Sequence, residues 1–108
     1  MAYKSKRSKA TDISYKTKEI VWERDNYSCI YCGKTGYGVI PNAHFIPRSK
    51  GGLGIEQNIV TLCQGCHYKF DFGTQEQRSE LRHFTRGYLR GRYVNWKEED
   101  LVYVKGKL

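Results

Sequence analysis

Nowhere in the 108 residues is there a long apolar run, a signal-type segment or an internal repeat, which ranks membrane binding low and excludes a repeat architecture. Acidic residues are scarce as well. Eleven Asp and Glu face nineteen Lys and Arg, leaving a formal charge of +8 and a pI near 9.4. Such an imbalance in a short chain points to a polyanionic partner, nucleic acid first. Charge carried only for solubility would be spread evenly, whereas the positive residues gather toward both ends. Apolar content is not lacking: 39% hydrophobic residues and nine Tyr exclude a disordered chain of low hydrophobicity. The length suits one compact domain with tails and is too short for two independent cores. A core of that size gains from a metal staple.

Cysteine is limited to four residues, all in two C-x2-C pairs, Cys29-Ile30-Tyr31-Cys32 and Cys63-Gln64-Gly65-Cys66. That spacing suits four thiolates closing on a tetrahedral zinc with no open position, a structural site whose binding free energy becomes folding free energy. A disulfide framework would use the same residues but belongs to a secreted chain rather than a reducing interior. A zinc ribbon in a purely binding protein would also use this ligand set, so the cysteines speak for zinc and not for catalysis.

Residues 1–16 read as a basic arm that orders on a partner, because Lys4, Lys6, Arg7, Lys9 and Lys16 are opposed by Asp12 alone. Residues 17–108 then form a single domain, with its core at about 24–73 and a C-terminal helix and tail over 74–108. The run TKEIVWER predicts a short helix with Ile20, Val21 and Trp22 inward, ended by Asp25-Asn26. KTGYG is a turn before a strand-like step at Val39 and Ile40, which Pro41 interrupts; a second strand-like run covers Ala43 to Ile46. After Pro47, RSKGGLG reads as a flexible loop rich in donors. Asn58 to Leu62 leads into the second cysteine pair, and CHYKFDFG predicts a helix with Gly73 near its end. Thr74 with Gln77 makes a capping-box pattern for a further helix to about Gly91, weakened by Gly87. On it Leu81, Phe84 and Tyr88 share one face, while Arg78, Arg82, Arg86 and Arg90 form a stripe suited either to solvent or to a DNA backbone. In the tail Val94, Trp96, Leu101, Val102 and Tyr103 are expected to pack back. The class is α+β.

The segments AHFIPRSKGG, NIVTLC and CHYKFD follow one another in that order. Over about Arg24 to Asp71 the chain resembles the HNH endonuclease family, in its four-cysteine, zinc-stapled branch, and WKEEDLVY is similar to the tail of small phage-type members. The resemblance implies a ββα-metal core, in which His44 is the general base, Asn58 orders the site and His67 on the helix binds a catalytic Mg²⁺ or Mn²⁺. It implies a one-metal DNA endonuclease of low sequence specificity, able to nick, working in the cytoplasm of a bacterial or phage-infected cell. Oligomeric state stays open. The alternative is a non-catalytic zinc module binding DNA or RNA, which has no need of His44, Asn58 and His67 in register.

The chemistry fits these residue types. Phosphodiester hydrolysis needs a base for water, and a neutral imidazole titrates near working pH. A divalent cation neutralises charge on the phosphate and the departing oxygen. One position departs from the family pattern: members usually carry Asp or His immediately before the base as a cation ligand, and here Ala43 stands there. Asp71, four residues after His67, shares its face if the segment is helical and could chelate with it, although a surface carboxylate would look the same. Asn42 is a weaker substitute, being a neutral amide. Arg48 and Lys50, with the Gly51-Gly52 backbone, are candidate phosphate contacts. His83 lacks such context and reads as an ordinary surface histidine.

Overall fold

Serine caps start the first two helices: Ser5 Oγ accepts from the Ser8 N–H ahead of α1 (Lys6–Thr11), and Ser14 Oγ from the Thr17 N–H ahead of α2 (Tyr15–Arg24), each at 3.1 Å. The computed structural model describes residues 5–106. A helix as short as α1 does not persist alone, and it is held by contacts to the loop after β1; Lys4 of the basic arm lies outside the described residues. In α2 only Val21 is buried, while Ile20 and Trp22 stay 38% and 39% exposed. Successive helical residues point about 100° apart, so three in a row cannot all face one core.

Strands β1 (Ile40–His44) and β2 (Ile59–Leu62) pair antiparallel, with Ile40 opposite Leu62, Ala43 opposite Val60 and His44 opposite Ile59. Two residues separate Ile40 from Ala43 but only one separates Leu62 from Val60, so β1 carries a bulge at Pro41 and Asn42. Pro41 has no N–H to give a ladder, and the bulge absorbs it. The two strand-like steps expected on either side of Pro41 are therefore one strand. Along it Val39, Pro41, Ala43 and Phe45 are buried, while Ile40, Asn42 and His44 lie on the more open side.

β2 is buried throughout and leads into α3 (Gln64–Phe72), which packs against α4 (Gln75–Arg92). Both bonds of the expected capping box form, Gln77 N–H to Thr74 Oγ1 at 3.1 Å and Thr74 N–H to Gln77 Oε1 at 2.9 Å. α4 passes through Gly87 and buries Leu81, Thr85 and Leu89, one residue per turn. Phe84 lies at the edge of that face, with its ring edge-on to Tyr31. In the tail Trp96 packs on Phe45 and donates to the Gln57 carbonyl (2.8 Å), and Leu101 is buried, whereas Val94 is 91% exposed and does not pack back. Among the described residues no helix is long and apolar enough to cross a membrane.

A buried charge network joins these layers. Arg24 and Asp25 form an ion pair at 2.7 Å, their side chains 10% and 0% exposed. Asp25 also accepts from the Thr61 N–H of β2 (2.9 Å) and the Tyr88 hydroxyl of α4, and Arg24 donates to the carbonyls of Glu56 and Ile59. Burial and the Asp25 carboxylate together push the Tyr88 phenol up to about 12.

Candidate functional site

Cys29 and Cys32 lie on a tight turn closed by the Gly33 N–H to Cys29 carbonyl bond (3.0 Å), with Gly33 at φ 78°. Cys63 caps α3, its Sγ accepting from the Cys66 N–H (3.4 Å). Turn and cap bring the four sulfurs within 4.8 Å of one another, three cysteines buried and Cys32 at the surface. No disulfide joins them: the Cys32 and Cys63 sulfurs are 3.7 Å apart, against about 2.05 Å for an S–S bond. Zn–S bonds of about 2.3 Å at tetrahedral angles require sulfurs about 3.8 Å apart, so the donor set fits such an ion. Burial opposes the Cys63 thiolate, yet the Cys66 N–H and neighbouring thiols outweigh it and bring its pKa down to about 7. Burial and the facing sulfurs push Cys66 up. Metal binding by such thiols requires their deprotonated form, which a bound cation favours. These four cysteines can hold a metal ion.

On the other side of α3, a cleft of about 690 Å³ is lined by Asn42 and His44 from β1, Arg48 and Lys50 from the 3-10 turn Arg48–Lys50, and His67 and Asp71 from α3. Phe70, Phe72, Gln75, Arg78, Ser79 and Arg82 contribute to its wall, as do Pro47 and Ser49. His67 Nε2 and Asp71 Oδ2 are 3.2 Å apart on successive helical turns, so the shared face expected from their spacing is present. Among the described residues the cysteines alone form a group of three or more His, Cys, Asp or Glu close enough to hold an ion. The His67–Asp71 pair thus offers two protein ligands.

His44 Nε2 lies 2.8 Å from the Thr11 carbonyl oxygen. A carbonyl only accepts, so Nε2 carries the hydrogen and Nδ1 of the neutral ring is the acceptor. Burial holds the His44 pKa below its ordinary value; the Thr11 carbonyl works in the opposite direction, and nearby Arg48 adds to the lowering.

Ala43, where the family pattern has a ligand, is 1% exposed on the opposite face of β1 from His44. Asn42 takes the neighbouring place on the cleft side, and its Oδ1 has no hydrogen-bond partner among the described residues. Asn58 is fully buried. Its Oδ1 accepts from the Ile46 N–H (2.9 Å), and its Nδ2 donates to the carbonyls of Ile46 (3.2 Å) and Leu53 (2.9 Å), which fixes the loop between them.

That loop is not a free donor-rich segment. The Gly51 N–H bonds to the Arg48 carbonyl and the Gly52 N–H to that of Pro47, each at 2.9 Å, and a Cβ on Gly52 would meet the Ile46 carbonyl oxygen at 1.6 Å. The Gly51-Gly52 backbone closes the turn and has no N–H to offer a phosphate. Arg48 pairs with Asp12 at 2.6 Å. The arginine stripe on α4 divides: Arg78 and Arg82 reach the cleft, whereas Arg86 pairs with Glu98 at 2.6 Å. Arg82 lies over the rings of Phe45 and Phe70 and donates to the Phe45 carbonyl (3.1 Å). His83 is exposed and outside the cleft. Sequence reasoning missed Phe72, Gln75, Ser79 and the Thr11 carbonyl; the last carries no side-chain signal at all.

A family model described as HNH endonuclease matches residues 29–84, just over half of the chain and the stretch that contains both cysteine pairs and the cleft histidines. The protein named Anaredoxin from Nostoc sp. is 34% identical over 58 residues, covering 54% of this chain and 75% of that protein. No solved structure matches the chain.

Proposed function

The chain belongs to the HNH endonuclease family, and we propose that it hydrolyses phosphodiester bonds in DNA, with His44 as general base. The observation that carries this reading is the meeting of His44, His67 and Asp71 with four cationic side chains, Arg48, Lys50, Arg78 and Arg82, in one cleft. On this reading β1, β2 and α3 are the ββα-metal core, stapled by a structural zinc on Cys29, Cys32, Cys63 and Cys66.

His44 offers Nδ1 to a water, and its lowered pKa keeps the ring neutral and able to take the proton. His67 and Asp71 would hold the catalytic cation, Mg²⁺ or Mn²⁺, ions that bind through few protein groups. When bound, that cation supplies charge neutralisation at the scissile phosphate and the departing 3′ oxygen. Arg48 and Lys50 grip the phosphate flanking the cut, and Arg78 and Arg82 follow the strand. Asn58 is a positioning residue that holds the loop carrying Arg48 and Lys50. Contacts of this kind read the backbone, so sequence specificity is low. On this reading the cleft is able to nick DNA, in the cytoplasm of a bacterial or phage-infected cell.

The non-catalytic zinc module draws its support from Ala43. That support weakens once position 43 is buried away from the cleft, since a ligand is not missing from a place where none could act. The test is supercoiled plasmid with Mg²⁺, Mn²⁺ or EDTA. Nicked circles should appear first and only with divalent cation. His44→Ala should lose about 100-fold or more in rate. Excess Mn²⁺ should partly rescue His67→Ala but not His44→Ala. Wild-type protein that cleaves nothing with any divalent cation, or a His44→Ala variant as fast as wild type, overturns the reading in favour of the binding module.

A further inference from the structure

We propose that the N-terminal segment is a working part of the catalytic centre: docked α1 presents the Thr11 carbonyl that fixes His44 in the tautomer with Nδ1 free toward the cleft. The inference rests on the reading of His44 as the base. Its alternative is a basic arm that only tethers DNA.

An imidazole in water exchanges its hydrogen between two nitrogens and turns freely, and only one combination aims an acceptor at a substrate water. The 2.8 Å contact from Nε2 to the Thr11 carbonyl selects that combination. Thr11 is 3% exposed, so the carbonyl is fixed by packing. Tethers flank it on both sides. Arg7 donates to the carbonyls of Arg48 (3.2 Å) and Ser49 (3.0 Å), the Gly54 N–H bonds to the Ala10 carbonyl (3.0 Å), and Asp12 pairs with Arg48 (2.6 Å). Gly54 shows how close the approach is, because a Cβ there would meet the Asp12 carbonyl oxygen at 1.9 Å. Only glycine lets the two backbones pass. All four tethers end on residues 48–54, the stretch that carries Arg48 and Lys50, so one docking event sets the base and the phosphate contacts together. Thr11 acts through its backbone, and it is a positioning residue whose effect must be tested by moving the segment.

Two full-length variants do this. Gly54→Ala forces the backbone at residue 12 away, and the double variant Arg7→Gln, Asp12→Asn disrupts three of the four tethers without adding bulk. In the zinc-loaded protein, ¹⁵N shifts of the His44 ring report its tautomer without needing activity. Single-turnover cleavage at saturating DNA reports the bound-state rate, and DNA affinity measured in Ca²⁺ reports the tether. In wild type the pattern should be that of Nε2–H alone. In both variants it should move toward the average of the two tautomers, and the single-turnover rate should fall about 10- to 100-fold, the usual worth of a partner that orients an imidazole, with affinity changed far less. If Gly54→Ala does not fold, the double variant carries the test. An unchanged tautomer and rate, or a loss confined to affinity, overturns the proposal and leaves His44 as base untouched. A shifted tautomer alongside a wild-type rate that is indifferent to His44→Ala would instead defeat the reading of His44 itself.

Discussion

Replacing Ala43 by Asp writes the family's usual cation ligand back into the chain, and the structure gives a definite cost for doing so. Ala43 is 1% exposed, sits opposite Val60 and joins the core cluster that contains Phe45 and Leu62. A carboxylate in that place has no partner, so it stays protonated. Holding an acid of reference pKa about 3.9 in its neutral form costs about 4 kcal/mol near pH 7, at about 1.36 kcal/mol per pH unit. The buried, unbonded acid group adds about 1–3 kcal/mol. Against a typical total of about 5–15 kcal/mol, most of the stability of so small a domain is at stake. The sign over pH is fixed: the folded-state pKa is raised, the native form binds the extra proton, and the ionisation cost shrinks to about 2 kcal/mol near pH 5.5. Urea denaturation of metal-loaded wild type and variant, followed by tryptophan fluorescence at both pH values, measures the difference and cancels effects common to both proteins. A loss under about 1 kcal/mol at both pH values, with tighter Mn²⁺ binding, would falsify the placement of residue 43 in the core.

Asp25→Ala should cost about 3–5 kcal/mol, because it leaves Arg24 unpaired in the interior and strips the Thr61 N–H and the Tyr88 hydroxyl of their acceptor. Arg86→Ala, which breaks the half-exposed pair with Glu98, should cost no more than about 1 kcal/mol, and equal effects of the two changes in urea denaturation would contradict the network. Cys32 is exposed, so its replacement by Ala would ordinarily matter by less than about 0.5 kcal/mol. As one of four metal ligands it should instead abolish tight metal retention and cooperative unfolding, and metal analysis of wild type should find about one zinc per chain before chelation unfolds it. Cleavage rate should rise with pH and level off, its midpoint below the ordinary histidine value of about 6.5, because burial favours the neutral His44 ring and acid removes the base. A single-turnover profile still climbing above about pH 8 would assign the limiting ionisation to another group.

What the sequence made legible was local. Four sulfurs around one small ion demand short spacings, so the two C-x2-C pairs announce the metal centre before any fold is known. The Thr74–Gln77 box and the His67–Asp71 pair depend only on residues three or four apart on one helix, and both form as expected. Contacts across the chain left no such mark. The bond from His44 to the Thr11 carbonyl spans 33 positions and uses a backbone atom, and the Asp25 network reaches 36 positions to Thr61 and 63 to Tyr88. Ala43 shows why even a well-matched motif can mislead. The family pattern places a ligand immediately before the base, whereas in this chain Ala43 faces the core and His44 lines the cleft. The bulge at Pro41 and Asn42 sets the register so that His44 reaches the cleft and residue 43 the core. A carboxylate at 43 would then be buried, away from the cleft that His67 and Asp71 of α3 line together with Asn42, whose Oδ1 has no partner among the described residues. The alanine follows from the side of the strand on which it falls.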